Sequence, residues 1–243
     1  MKKVSIITTT YNDSANLRKT IQQVEAQDYE NIEYIIVDGA SKDDTLQVIA
    51  EAKERFGDRL VWISEKDSGI YDAINKGLRL ATGDFIGLCF DQFAAPDVVS
   101  KMVAIMEKEG TDGVHGDLNY VDGEKIVRKW RQGQGNIRTG WMPGHPTLYL
   151  RKEVYETYGL YKTDYRISAD YEYMIRILKD GKVKLSYIPE VLIKMAHGGT
   201  STNGLGAYLE GLKEGHRALK ENGVKFAFVT DLLRILRVLR QFV

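Results

Sequence analysis

Short apolar runs alternate with amphipathic stretches four times in the first half of this chain. The clearest run, residues 32–37, is almost entirely apolar, which is typical of a strand buried on both faces of a parallel sheet. It ends at Asp38, and Gly39 then permits a sharp turn before a stretch with apolar residues at helical spacing. Repeated strand–helix units of this kind predict an α/β fold with a mostly parallel central sheet and right-handed crossovers.

Each of the four predicted strands ends in, or is closely followed by, a polar side chain. These residues are Thr9, Asp38, Asp67 and Asp91. A single aspartate at the end of a strand is a common turn residue. Because parallel strands end at the same edge of a sheet, four such residues predict a shared ligand site at that edge.

The composition narrows the possible classes of function. With 43% hydrophobic and 28% charged residues, a packed globular core is expected rather than disorder. Lys plus Arg equals Asp plus Glu, at 34 each, so no net positive charge favours nucleic acid, and we expect no nucleic-acid partner. The single cysteine, Cys89, excludes an internal disulfide and suits a reducing, cytoplasmic compartment. We expect neither a signal peptide nor a membrane-spanning helix.

The second half of the chain changes character. Two short strands flank a turn at residues 122–123, and the glycine-rich segment 131–144 is predicted to be a mobile loop. A further strand is predicted over residues 145–150, and a helix begins near residues 167–170. Two helices are predicted to close the chain.

Five segments, in this order, resemble the family-two inverting glycosyltransferases, which have the GT-A fold and use nucleotide-sugar donors. They are TTTYND at 8–13, VDGASKDDT at 37–45, SEKDSGIYDAINKGLRLATGD at 64–84, HPTLYLRKEVYETYG at 145–159 and RISADYE at 166–172. The third segment is similar to bacterial enzymes that build polysaccharides and O-antigens. The resemblance implies a nucleotide-sugar-binding half at 1–110, an acceptor-binding and catalytic half of the same domain at 111–204, and C-terminal helices at 205–243.

The resemblance also implies which residues hold the donor. Thr9, Tyr11 and Asp38 would contact the nucleotide, and Asp67 would complete its pocket. An aromatic ring can stack on a base and a carboxylate can accept a hydrogen bond from uracil N–H, so a UDP-sugar is the expected donor. His145, which opens the His-Pro-Thr segment, would line the donor or the acceptor pocket.

The fourth strand departs from the family pattern. The family usually has a pair of acidic residues here that holds a divalent cation on the diphosphate, whereas this chain has Asp91 followed by Gln92. Mg²⁺ or Mn²⁺ can still be held by one carboxylate together with phosphate oxygens and water. His197, in a loop that lies near the diphosphate in this family, is a second candidate ligand. The alternative is that Asp91 only caps a strand at a site that has lost its metal.

Residues 166–172 match the family segment that carries the catalytic base. The match implies that Asp170 takes the proton of the acceptor hydroxyl during inverting transfer, with Glu172 as the second candidate. The structural alternative for Asp170 is an ordinary acidic residue in the first turn of a helix.

The implied reaction moves a sugar from a UDP-sugar to a hydroxyl of a glycan, often lipid-linked in this family. Because the acidic pair is reduced to Asp91, an alternative is a protein of the same fold with weakened catalysis that only binds a nucleotide sugar. A nucleotidylyltransferase would need a Gly-rich, Arg-containing loop after the first strand, and TTTYND has none. No G-x-G-x-x-G follows any strand, which argues against a dehydrogenase.

The C-terminal stretch, residues 226–243, combines a wide apolar face with a narrow polar stripe that includes Asp231, Arg234 and Arg237. Such a helix packs against its own domain, forms a homodimer contact, or lies in a membrane interface. A lipid-linked acceptor would suit the membrane contact, at the inner face of the cell membrane.

Overall fold

A computed structural model of the protein describes residues 1–196 and 205–239. Within these ranges nine strands form one sheet, and eight α-helices cover it. The strands are β1 (Val4–Thr10), β2 (Ile32–Asp38), β3 (Leu60–Ser64), β4 (Phe85–Leu88), β5 (Gln92–Phe93), β6 (Gly113–Asp122), β7 (Lys125–Trp130), β8 (Tyr149–Arg151) and β9 (Leu185–Ala196). The helices are α1 (Ser14–Glu25), α2 (Thr45–Phe56), α3 (Ile70–Leu80), α4 (Val98–Glu109), α5 (Lys152–Tyr158), α6 (Ala169–Leu178), α7 (Leu205–Glu221) and α8 (Ala227–Leu239).

The first four strands are parallel neighbours in the order β3–β2–β1–β4. Thr10 pairs with Asp38, and Asp38 pairs with Ser64, so the carboxyl ends of these strands meet at one edge, as predicted. Beyond β4 the sheet becomes mixed, with β8 antiparallel to both β4 and β6, and β9 parallel to β6. Strand β5 pairs with β9, and β7 forms a hairpin with β6.

Two hydrophobic clusters fill the two faces of the sheet. Successive residues of β1 enter different clusters, Ile6 one and Ile7 the other, as the pleat of a strand requires. The first cluster contains the apolar faces of α1, α2 and α4, and the second contains those of α3, α5, α6 and α7. The sheet is therefore buried on both sides, which explains the continuous apolar run of β2.

Helix α3 lies unusually close to the sheet, and this closeness fixes the loop that precedes it. A Cβ atom at Gly77 would lie 2.5 Å from Ile7 Cγ2, so glycine is required for the helix to approach β1. Ile74 and Leu78 are buried on the same face. Burying such side chains contributes about 1.5–3 kcal/mol each. The start of α3 is thereby held beside the edge where the parallel strands end.

Two expectations for the segment around residue 145 were wrong in detail. His145–Thr147 is a short 3₁₀ helix rather than the start of a strand, because Pro146 has no N–H for a ladder and suits the first turn of a helix. The glycine-rich segment before it contains a second 3₁₀ helix and is packed rather than open. Trp141 is only 7% exposed, and its Nε1 donates to the carbonyl of Gln132 at 2.9 Å.

Helix α8 packs against the domain through its polar face rather than through its apolar face. Its polar stripe faces the domain: His216 Nδ1 lies 2.7 Å from Asp231 Oδ2, and Arg237 donates through Nε to a backbone carbonyl at 3.0 Å. Several of its apolar side chains face outward and are strongly exposed, including Phe228 at 75% and Leu232 at 49%. Core packing of this face is therefore wrong, while the dimer and membrane alternatives stay open. Across the described parts of the chain, no helix is long and apolar enough to cross a bilayer.

Candidate active site

The loops that follow β1 and β2 are locked together by side-chain hydrogen bonds. The backbone N–H of Asn12 donates to Ser41 Oγ at 2.7 Å, and Asn12 Oδ1 accepts from the N–H of Lys42 at 2.7 Å. Asn12 and Ala40 both have left-handed backbone conformations, with φ of +49° and +64°. A left-handed conformation costs a residue with a side chain about 1–2 kcal/mol. Such strain is concentrated at functional loops, which supports a ligand site at this edge.

Asp38 organises this edge from the inside. It is fully buried, and its carboxylate accepts hydrogen bonds from the backbone N–H of Ser41 and from Ser64 Oγ. Contact of Asp38 with a nucleotide stays a prediction, because these bonds already give it a structural role. Thr9 is half-buried near the end of β1, whereas Tyr11 is 61% exposed.

Gly39 brings two other predicted nucleotide residues together. A Cβ atom at Gly39 would lie 2.7 Å from Asp67 Oδ2 and 3.2 Å from Tyr11 Cδ2. Asp67 is itself oriented, because its Oδ1 accepts from the N–H of Gly69 at 2.9 Å. Tyr11, Gly39 and Asp67 therefore form one compact group, which we call the strand-tip group.

Asp170, the predicted base, is connected to the strand-tip group through helix α3. Tyr71, in the first turn of α3, donates its hydroxyl to the carbonyl of Ile167 at 2.6 Å and lies 3.2 Å from Asp170 Oδ1. The N–H of Tyr171 also donates to Asp170 Oδ1, at 2.8 Å. Since α3 begins three residues after Asp67, the base lies beside the loop that carries that residue.

His145 lies on the other side of the same carboxylate. Its Nδ1 is 4.0 Å from Asp170 Oδ2, and its Nε2 is 2.9 Å from the hydroxyl of Tyr161. Burial lowers the pKa of His145, and this effect outweighs the opposing influence of Asp170. A neutral imidazole therefore faces the candidate base at neutral pH.

A buried carboxylate from α7 holds the start of α6. Glu214 accepts hydrogen bonds from three consecutive backbone N–H groups, those of Arg166 at 2.6 Å, Ile167 at 2.9 Å and Ser168 at 2.8 Å. An anion is stabilised at a helix N-terminus, where backbone donors have no partner within the helix. Asp170 is thus oriented by a residue that lies far away in the sequence.

Glu172, the second candidate base, is occupied by ion pairs within the protein. Its side chain is fully buried, 2.7 Å from Arg176 Nη2 and 3.2 Å from Lys162 Nζ. The two cations together compensate the buried charge of Glu172, and removing both would leave it without a counter-ion. These contacts favour Asp170 over Glu172 as the group that meets an acceptor.

Asp91, the predicted metal ligand, is largely enclosed after β4. Burial raises the pKa of Asp91 to about 6, although its Oδ1 accepts from the N–H of Ala196 at 3.1 Å. Burial raises the pKa of Tyr120 as well, against the lowering influence of the Arg128 guanidinium. The hydrogen bond from Ala196 places Asp91 beside the end of β9.

The ligand set for a cation is sparse. In residues 1–196 and 205–239 no group of three His, Cys, Asp or Glu side chains could hold a metal ion. His197 lies outside the described residues. The residues present fit a divalent cation only as Asp91 plus oxygens from a bound diphosphate and water, a mode that Mg²⁺ commonly uses.

A cavity of about 690 Å³ is lined by Asp170 and by no residue of the strand-tip group. Its wall comes from β7, the packed glycine-rich segment, the start of α6, and both C-terminal helices, and none of it comes from the parallel strands. Four aromatic side chains line it: Trp130, Trp141, Tyr171 and Tyr208. Its volume is typical of a small-molecule site, and its aromatic wall suits the apolar faces of sugar rings.

Sequence reasoning missed several residues that form this site. Tyr71 and Tyr161 touch Asp170 or its neighbour His145, but each reads locally as an ordinary aromatic residue of a helix or loop. Tyr71 lies within the third family segment, in the helix turn after Asp67, and this position could have identified it as a site residue. The contribution of Glu214 had no local signal.

Comparison with known proteins assigns the family. The family described as "Glycosyl transferase family 2" matches residues 5–168. The chain belongs to this family of glycosyltransferases. An uncharacterised glycosyltransferase of Mycobacterium tuberculosis is 30% identical over 191 residues, covering 71% of this chain and 68% of the relative. A PGL/p-HBAD biosynthesis glycosyltransferase of Mycobacterium bovis is 29% identical over 197 residues, covering 77% and 74%.

Solved structures confirm the GT-A fold of this glycosyltransferase. TarS from S. aureus superposes with a TM-score of 0.73 at 14% identity, covering 98% of this chain and 72% of that one. TarS in complex with UDP gives a TM-score of 0.71 at 15% identity, covering 99% and 72%. The mannosyltransferase PcManGT from Pyrobaculum calidifontis, in complex with GDP-Man and Mn²⁺, gives 0.69 at 18% identity, covering 98% and 74%.

The strand-tip group generates a test of the nucleotide site. We expect Gly39→Ala to weaken UDP binding about tenfold, because overpacking costs about 1–3 kcal/mol and the new methyl group displaces Asp67 or Tyr11. Isothermal titration calorimetry with UDP measures the change. Gly206→Ala is the matched control, since a Cβ atom there meets no atom within 4 Å. Equal affinity of the Gly39 variant and the control would remove UDP from this edge of the sheet.

Proposed function

We propose that this glycosyltransferase transfers a sugar with inversion from a UDP-sugar to a hydroxyl of a lipid-linked glycan, with Asp170 as the general base. The position of Asp170 carries this proposal, because it lines the aromatic cavity and contacts Tyr71 in the first turn of α3, the helix that follows Asp67 of the strand-tip group. In this arrangement residues 1–110 hold the donor, 111–204 carry the base and the acceptor, and 205–243 complete the acceptor side.

The donor site is proposed at the strand tips. Tyr11 is exposed and can stack on the uracil, while Asp67 and the end of β1 at Thr9 offer polar groups beside it. Asp38 would act through the loop that it orders. Support comes from the similar folds of TarS with UDP and TarS with UDP-GlcNAc, although PcManGT binds GDP-Man with the same fold.

The chemistry requires one proton acceptor at the right place. The acceptor oxygen attacks the anomeric carbon, the bond from that carbon to the diphosphate oxygen breaks, and the hydroxyl proton passes to Asp170. Tyr71 and the N–H of Tyr171 orient the carboxylate, and the lowered pKa of His145 keeps the imidazole beside it neutral. The aromatic cavity would exclude water from the reacting centre.

Asp170→Asn tests the base directly. We expect transfer to fall about 10²- to 10⁴-fold, because an amide takes up no proton, while UDP affinity stays near that of the wild type. Sugar transfer and UDP titration on the same preparation measure both effects.

Asp180→Asn is the matched control, since Asp180 is exposed at the end of α6 and should leave both quantities unchanged. Wild-type rates in the Asp170 variant would eliminate the proposed mechanism. UDP binding without turnover of any donor by the wild-type chain would favour the alternative, a nucleotide-sugar-binding protein with weakened catalysis.

A divalent cation, Mg²⁺ or Mn²⁺, is proposed as the cofactor. Asp91 would hold it with oxygens of the diphosphate, and His197 is proposed as a further ligand. The cation would neutralise negative charge on the leaving diphosphate. The Mn²⁺ in the PcManGT structure supports metal use in this fold.

A loss of metal binding can be distinguished from a loss of folding or stability. We expect EDTA to suppress transfer and Asp91→Asn to raise the Mn²⁺ concentration for half-maximal activity about tenfold, because one of few protein ligands is lost. A Mn²⁺ titration of the transfer rate measures this, with Asp122→Asn in the exposed hairpin turn as control. Full activity in EDTA would rule out the cation.

A membrane contact through the outward face of α8 is the second part of the proposal. Two exposed cations lie near this face: Lys225, two residues before the helix, and Arg138, on the 3₁₀ helix that α8 contacts. Asp231, the acidic residue among the described residues of α8, is paired inward with His216. Exposed apolar side chains with a basic rim match an anionic lipid surface, which suits the cytoplasmic face of the cell membrane.

Vesicle flotation tests this contact. We expect the protein to bind phosphatidylglycerol-containing vesicles, and Phe228→Ser with Leu232→Ser to weaken binding about tenfold, because their apolar surface leaves the lipid. Leu46→Ser on α2, where Leu46 is 41% exposed, is the control. Absence of vesicle binding, together with a dimer in sedimentation that the double variant dissociates, would replace the membrane with a second copy of the chain.

A further inference from the structure

The cavity beside Asp170 has an unusual charge for a chain whose charges balance. Four cations line it: Lys129, Arg131, Arg234 and Arg237. Among the described residues that line it, Asp170 alone carries a carboxylate. The whole chain has 34 basic and 34 acidic residues, so positive charge is concentrated at this wall.

Two of these cations already have counter-ions behind the wall. Arg131 Nε lies 3.6 Å from Asp117 Oδ2, and Arg234 Nη2 lies 3.4 Å from Asp231 Oδ1. The guanidinium of Arg234 also lies over the ring of Tyr171, with Cζ 4.4 Å from its centroid. These two arginines are therefore largely structural.

Lys129 and Arg237 differ from them. Neither forms an ion pair with any acidic residue in the described ranges, and Lys129 is exposed on β7. Arg237 donates to the carbonyl and hydroxyl oxygens of Thr139, at 3.0 and 3.4 Å, which hold its guanidinium without neutralising it. Two uncompensated cations at the wall of an aromatic cavity form a recognition site for an anion.

The positive charge of this wall has no evident role in holding the donor, because the cavity and the proposed donor site share no residue. No residue of the strand-tip group lines this cavity, and no lining residue comes from the parallel strands. The cavity also has an apolar side, with Ile235 and Val238 beside Tyr208. A ligand that matches all of these features has a sugar, a negative charge next to it, and an apolar group.

We infer that the cavity binds an anionic amphiphilic acceptor, with Lys129 and Arg237 as contacts to its negative group. This inference rests on the proposed function, since it names the acceptor class of that reaction. The anion is either the phosphate of a lipid linkage or the carboxylate of a uronic acid. The aromatic side chains hold the sugar against Asp170, and the apolar group lies along the inner face of α8.

Binding of simple amphiphiles tests the inference without catalysis. The full chain is saturated with UDP to block the donor site and titrated calorimetrically, below micellar concentrations, with decyl diphosphate, decyl glucuronide and neutral decyl glucoside. We expect an anionic compound to bind about tenfold more tightly than the neutral one. Preference for decyl diphosphate identifies a phosphate linkage, and preference for decyl glucuronide identifies an acidic sugar. Equal affinity for all three compounds would overturn the inference.

Substitutions of Lys129 and Arg237 provide a second test of the inference. Lys129→Gln and Arg237→Gln should each remove most of the preference for the anionic compound while UDP affinity is unchanged. Lys125→Gln is the matched control, because Lys125 is exposed on the same strand but does not line the cavity. A loss of UDP affinity equal to the loss of amphiphile affinity would assign these cations to the donor and overturn the inference. Failure of transfer alone would affect the proposed function and not this binding result.

Discussion

The carboxylate of Glu214 at the start of α6 is the contact on which the candidate active site depends. Three consecutive backbone N–H groups converge on it in a buried position. Without an acceptor, buried donors of this kind cost about 1–3 kcal/mol each, and the turn before Asp170 would lose its shape. Asp170, the proposed base, is therefore oriented jointly by α3, through Tyr71, and by α7, through Glu214.

The two C-terminal helices follow from the same constraint. Helix α7 supplies Glu214 and therefore lies against the start of α6, and α8 packs back on α7 through the hydrogen bond between His216 and Asp231. This packing uses the polar stripe of α8, so the apolar side chains of Phe228, Leu232 and Leu236 are left exposed. The inner face of the same helix then completes the cavity wall with Arg234 and Arg237.

Local sequence patterns predicted the part of the molecule that depends on local physics. The apolar run before Asp38 and the helical spacing after it determine a buried parallel strand and its crossover helix, so the edge that gathers Thr9, Asp38 and Asp67 was predictable. The segment at His145 was not, because Pro146 turned a strand pattern into a 3₁₀ helix. Periodicity identified the two faces of α8 but not which one meets the domain, since that choice depends on partners such as His216 and Tyr171. Roles in binding and catalysis are still predictions, because they depend on ligands.

The cavity wall bears on how new acceptor specificities can be made in this scaffold. Helices α7 and α8 supply much of that wall. Under the proposed function, exchanging them between relatives would alter which glycan is extended. The exchanged hairpin also carries the carboxylate that caps α6. A chimera designed only around the shape of the wall would be inactive for a reason unrelated to recognition, whereas one that keeps an acidic residue at position 214 retains the geometry of the base.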